Sequence, residues 1–280
     1  MTSARHRPRA HLAAAACVLS LLGASSLQGQ GRGAGPKPAP APAPRHPDGR
    51  VNLGPPPGET GVWERRNEHL VINPKSYQAA ATKTARVHID AVPLQPWARA
   101  LTDHRHQLAL ASEPYTRCKP AGGPRQFMSP YGLEIVHIPE LQRVFVFNVS
   151  NANSFRVIYL DGRGHPPAST PDYFGHSIGR WEGDTLVIDT VGFSEQIWMN
   201  RDGLPHTSHL HLVERLTRVD FDDLDYEVTV DDPGAYTAPW TSGFTLGFTK
   251  GAELFEYQCQ ENNLSPESMV GDALTSSIVP

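Results

Sequence analysis

From residue 133 onward, apolar and polar positions alternate with a period of two, in short runs. LEIVHI, RVFVFN, FRVIYL, LHLVERLTRV, LDYEVTV, FTLGF and LFEYQC, with the two runs around TLVIDTV, are rich in β-branched and aromatic residues. Turn signals separate them, at Pro139-Glu140, 151–153, Asp161-Gly162, 182–184, Asp222-Asp223 and Lys250-Gly251, so the pattern predicts eight or nine strands. Short connections make neighbours antiparallel, and a meander this long hides its edges best by curling closed. The expected fold is all-β: an antiparallel meander closing into a β-barrel, with a sandwich as the alternative that periodicity leaves open. Upstream the period changes. Residues 95–111 place Trp97, Leu101, Leu108 and Ala111 loosely on one stripe, with Pro96 near the start, and predict one packed helix. A short helix is also expected over residues 77–85, and a covering loop, held by Cys118, over the Pro- and Gly-rich residues 113–130.

The centre of the pattern is GHSIGRWEGDTLVIDTVGF, residues 175–193, which predicts one tight hairpin turning at Glu182-Gly183-Asp184. His176, Ile178 and Arg180 share one face with Val187, Asp189 and Val191. Ser177, Gly179 and Trp181 share the other with Leu186, Ile188 and Thr190. With Glu182-Gly183 as the turn, His176 falls directly opposite Asp189. The expectation is that His176, Arg180 and Asp189 look inward, into a hollow barrel.

Composition adds boundaries. Arg5, Arg7 and Arg9 precede an apolar run over residues 12–22 and a small-residue stretch, the pattern of a secretory signal peptide over residues 1–30. That run is too short to span a bilayer comfortably, no other stretch is a candidate, and Cys17 is not placed as a lipidation site is. Residues 31–48, with PKPAPAPAP, predict an extended, disordered Pro/Ala spacer. One barrel domain is expected over residues 49–262 and a loose tail over 263–280. The chain carries a net charge of −4, and the leader holds three Arg and no acid, so the remainder is more acidic still. No basic stripe points to nucleic acid. In an exported chain, Cys118 and Cys259 are most simply one disulfide, with two buried thiols as the alternative.

With RVIYLDGRGHP before it and HLVERL and DDPGAYTAPW after it, the hairpin sequence resembles a family of exported bacterial proteins. The resemblance spans residues 49–261 and implies a secreted, lipocalin-like barrel. It implies no mechanism. Gly61-Val62-Trp63 fits the same picture, because a Gly-x-Trp opening a strand resembles the first strand of lipocalin-type barrels, where the Trp plugs the closed end.

Three constellations carry candidate chemistry. His176, with Asp189 fixing its tautomer and Arg180 near an oxyanion, makes a cofactor-free general base, and equally an ordinary cross-strand pair. His206, His209 and His211 in PHTSHLHLVER suit zinc or copper if the last two share a strand face, while Glu214 falls on the opposite face. His165 and Tyr159 in RVIYLDGRGH, with Arg215, His211 and Trp181, are candidate ligand contacts, Arg215 as an inward partner for Asp189. Gly-rich phosphate loops and C-x-x-C are absent, and the G-x-S-x-G string Gly175-His176-Ser177-Ile178-Gly179 falls on a predicted hairpin strand rather than a strand-to-helix elbow, which argues against nucleotide enzymes, thioredoxin-like proteins and α/β-hydrolases. The expected function is binding of a small, largely apolar molecule in the barrel mouth, its polar end held by His, Arg and Asp. A lyase, isomerase or hydrolase, or a metal-binding protein, is the alternative.

Overall fold

Nine strands close on themselves: β1 (Gly61–Arg65), β2 (Leu133–Ile138), β3 (Arg143–Val149), β4 (Asn153–Tyr159), β5 (His176–Glu182), β6 (Thr185–Val191), β7 (His211–Arg218), β8 (Asp223–Asp231) and β9 (Trp240–Lys250). The structure is a computed structural model and describes residues 39–66, 69–73, 86–108, 111–149, 153–167 and 170–259. The expected leader, the helix over 77–85 and the tail lie outside the described residues. The chain divides into two units, Met1–Ala39 and Pro40–Pro280, and the barrel belongs to the second.

The barrel is the expected lipocalin-like meander, each strand pairing with the next and β9 pairing back onto β1. One pair breaks the antiparallel rule. β4 and β5 run parallel and meet only at Ile158↔Ser177 and Tyr159↔Ile178. The start of β5 lies beside the end of β4, so among the described residues the rest of β4 has no strand on that side. The barrel wall therefore carries a seam along β4.

The period-two pattern converts directly into burial. Along β7 and β8 every second residue is buried, from Leu212 and Leu216 to Leu224, Tyr226, Val228 and Val230. Trp63 is 1% exposed, donates its indole N–H to the Leu53 carbonyl at 2.6 Å, and lies under the Arg218 guanidinium, 4.8 Å from its ring centroid. Arg218 is itself held by the carbonyls of Asn52, Gly54 and Phe221. Burial brings its guanidinium down to about 10. Gly61 is required because a Cβ there would fall on the Phe248 ring.

Four expectations are corrected. The helix, α1 (Pro96–Gln107), forms, but it buries Ala98 and Thr102 and leaves Trp97 exposed, with its indole N–H donating to the Gly234 carbonyl at 3.0 Å. LFEYQC is not a strand: residues 252–259 run as an irregular strap, since β9 already uses both edges on β1 and β8. Residues 40–48, expected as solvated spacer, lie against the barrel. Ala41 accepts from the Phe221 N–H at 2.8 Å, Ala43 packs on the core and Arg45 pairs with Asp184. The loop over 113–130 does more than cover. Its 3₁₀ turn at Gly123–Met128 is wholly buried and stacks Phe127 on Tyr226, with centroids 4.5 Å apart. The barrel interior is therefore filled, not hollow.

Cys118 and Cys259 form the disulfide, across 141 residues of sequence separation. Among the described residues no helix is long and apolar enough to cross a membrane.

Candidate functional site

The hairpin β5–β6 turns at Gly183-Asp184, because Glu182 pairs with Thr185. Gly183 takes φ +60° at the first central position, as a type II′ turn requires. The turn is one residue later than the one that would set His176 against Asp189, so Asp189 faces Ile178 and His176 faces Val191. The expected sharing of a face survives this shift. The expected direction of that face does not.

Leu186, Ile188, Thr190 and Ser177 are buried inside the barrel, whereas His176, Arg180 and Asp189 stand on the outer wall. The physical reason is the ordinary one. A two-faced ribbon buries its apolar side, and an inward His, Arg and Asp would each have needed a buried partner. Arg180 points away from the other two. It pairs with Glu182, which is also held by Arg215, so Arg215 does not reach Asp189 as expected. These two Arg–carboxylate contacts hold the Glu182 carboxyl below its ordinary value, Arg215 most. Trp181 is on the opposite, inward face and packs near His137 with its indole N–H unpartnered among the described residues.

What the outer wall assembles is a histidine chain. Asp189 Oδ1 lies 2.9 Å from His165 Nε2 and 2.9 Å from His211 Nε2. His165 Nδ1 lies 2.8 Å from His176 Nδ1. A carboxylate only accepts, so His165 carries its proton on Nε2. With both rings neutral, its Nδ1 then accepts from His176 Nδ1–H, leaving His176 Nε2 as an open acceptor. Burial, then the neighbouring His165 and Arg163, push the His176 imidazole below its ordinary value, against a weaker pull from Asp172. Neutral His176 is thus the resting form near pH 7. Tyr159 stacks on the His176 ring, 5.4 Å between centroids, with Arg163 4.0 Å from its own centroid and Arg163 tied to Asp161 as the turn chemistry predicts.

This chain borders a cleft. Where β4 has no strand partner, Phe155, Val157, Tyr159, Phe174, Gly175 and His176 line a cavity of about 290 Å³ at the seam. The segment on its far side is fixed by Asp172, whose Oδ1 accepts the N–H groups of Phe174 (2.8 Å) and Gly175 (2.6 Å).

The three metal candidates do not converge. His206 is 5% exposed and its Nδ1 meets the Thr207 carbonyl at 2.9 Å. His209 lies in the turn before β7 and meets Thr207 Oγ1, while His211 takes Asp189. Strand β7 starts at His211, so His209 and His211 do not share a strand face. Among the described residues no three His, Cys, Asp or Glu are arranged to hold a metal ion.

The interior joins two charged residues that the three constellations do not bring together. Arg156, 1% exposed, forms a bidentate pair with the fully buried Glu214 and also donates to Ser177 Oγ (2.8 Å) and Thr190 Oγ1 (2.6 Å). Tyr226 gives its hydroxyl proton to Glu214 at 2.9 Å, and burial beside that carboxylate raises the phenol well above its ordinary value. The alternation does carry the signal: Arg156 is in phase with Ile158, and Glu214 with Leu212 and Leu216, at positions the pattern reserves for the core. A second buried pair, Arg125–Glu113, anchors the inserted loop. No family model, no curated protein and no solved structure matches this chain.

Proposed function

We propose that the protein binds a small molecule in the seam cleft, with an apolar body against Phe155, Phe174 and Tyr159 and a hydrogen-bond-donating end on His176. The observation that carries the reading is a cavity of about 290 Å³ in which Phe155, Tyr159 and Phe174 stand beside the oriented, neutral His176 imidazole, with Arg156, Thr170, Asp172 and Ser177 also on its wall. A hydroxyl, a phenol or an amide N–H suits an acceptor such as His176 Nε2. The polar end rests on His176 rather than on Arg180, which is held by Glu182 outside the cleft.

Titrating the labelled protein with phenol, followed by NMR of the His176 ring, tests the reading. Binding should perturb His176, disappear in His176→Phe, and weaken only as the pH falls below the ordinary histidine range, because protonation removes the acceptor. Binding that persists unchanged in His176→Phe contradicts it. One feature favours a catalytic second reading: the relay from His176 through His165 to Asp189 orients a general base. Asp189→Asn separates the two, since carriage should weaken by no more than a few fold while base catalysis should fall by about 10² or more.

The leader pattern and the Cys118–Cys259 disulfide support export to an oxidising compartment. Cell fractionation with N-terminal sequencing of the mature chain checks it, and a cytosolic, uncleaved chain would refute it.

A further inference from the structure

A second recess lies on the other side of Phe155. On the outer face of β2, β3 and β4, Glu134 pairs across to Phe147, and Phe147 to Phe155, so a carboxylate and two rings stand in one row. The strap over residues 254–256 closes the row from the other side with Leu254, Phe255 and Glu256, and is tethered nearby through Cys259 to Cys118. Together these groups enclose about 530 Å³, well within the size of small-molecule sites. Phe155 and Phe255 remain 55% and 50% exposed, which is unusual for rings of this size unless the surface has a use.

The charge of the recess is one-sided. Among the described residues no Lys, Arg or His lines it. Glu134 is half-buried and has no hydrogen-bond donor or cation as partner among the described residues, and its carboxyl is raised by burial and by the nearby Glu253. No basic side chain from the adjoining tail can supply the missing charge, since residues 260–280 and 150–152 contain no Lys, Arg or His. A carboxylate left without a counter-ion among phenylalanine faces suits a positive group that is itself weakly hydrated.

From this we infer that the recess is a binding site for a small organic ammonium ion, its charge against Glu134 and Glu256 and its alkyl or methyl groups on Phe147, Phe155 and Phe255. The aromatic faces supply cation–π attraction and the two carboxylates the charge complement. The site is independent of the seam cleft except that Phe155 borders both.

Calorimetry with benzyltrimethylammonium, against neutral benzyl alcohol, tests it on the full mature chain. The ammonium should bind at least tenfold more tightly than the alcohol. Glu134→Gln and Phe255→Ala should each weaken it about tenfold, the range of one cation–π or carboxylate contact. Both positions are on the surface, and circular dichroism verifies that the variants fold. His176→Phe should leave the affinity unchanged. Equal affinity for the two probes, no binding of the ammonium, or no effect of either groove variant overturns the inference. So does loss of binding in His176→Phe, which would place the ammonium in the seam cleft.

Discussion

The inside and the outside of this barrel both carry a charged network built on neighbouring strands, and they are built to opposite rules. Inside, Arg156, Glu214, Tyr226, Ser177 and Thr190 each find a hydrogen-bond partner within the set. Outside, His211, Asp189, His165 and His176 form a chain whose last member has a nitrogen to spare and a cleft beside it. The comparison teaches that burial and function need not coincide. The closed network holds the fold together, and the open one is where we propose that a ligand is recognised.

The sharpest way to break the comparison is to remove one partner from each network. Glu214→Ala strands a buried guanidinium and should cost about 3–5 kcal/mol by urea denaturation. Asp189→Ala, on the half-exposed wall, should cost no more than about 1 kcal/mol. Equal losses would mean that both networks are structural. Replacing the interior pair together, as Arg156→Met with Glu214→Leu, should restore most of the stability lost in Glu214→Ala, because no unpaired charge remains.

Acid should act through the buried histidines. Burial, with Arg65, Arg201 and Arg125 around it, pushes His69 down to about 4, and burial also lowers His206. Both are depressed histidines, so the unfolded chain takes up protons first as pH falls. Their contribution is complete above about pH 6.5 and is lost as pH drops from there toward 4. Thermal melts between about pH 7 and pH 4.5 should show the decline, and His69→Gln should flatten it. A melt that rises over this interval contradicts the assignment. The smallest expected effect is Arg180→Ala, within about 0.5 kcal/mol of wild type in the same melts, since Arg180 is an exposed ion-pair partner only.

Much of this architecture is legible in the chain. Runs of period two with Gly and Asp between them give the strands, and the Gly-x-Trp of β1 gives a buried strand start, because a Cβ at Gly61 would meet the Phe248 ring and Trp63 donates to the Leu53 carbonyl. The shared face of His176 and Asp189 also follows from alternation alone. Which way that face points follows too, once the apolar phase is allowed to decide. The face of Leu186 and Ile188 carries no ionisable residue while the other carries His176, Arg180 and Asp189, and only the expectation of a hollow turns that polar face inward. Other features have no local signal. Phe127 enters the barrel from a Pro-rich loop, and the two-residue parallel seam depends on where residues 160–175 lead the chain. His165 meets His176 across that connection, a contact that no spacing rule contains.

The hairpin's polar face looks outward and holds His176 as an oriented, neutral acceptor at the seam, and on this the proposed function depends. Long-range ¹H–¹⁵N NMR of the histidine rings tests it most directly. His176 should carry its proton on Nδ1 at about pH 7 and titrate below about 6.5. A proton on Nε2, or a titration at or above about 6.5, would contradict it.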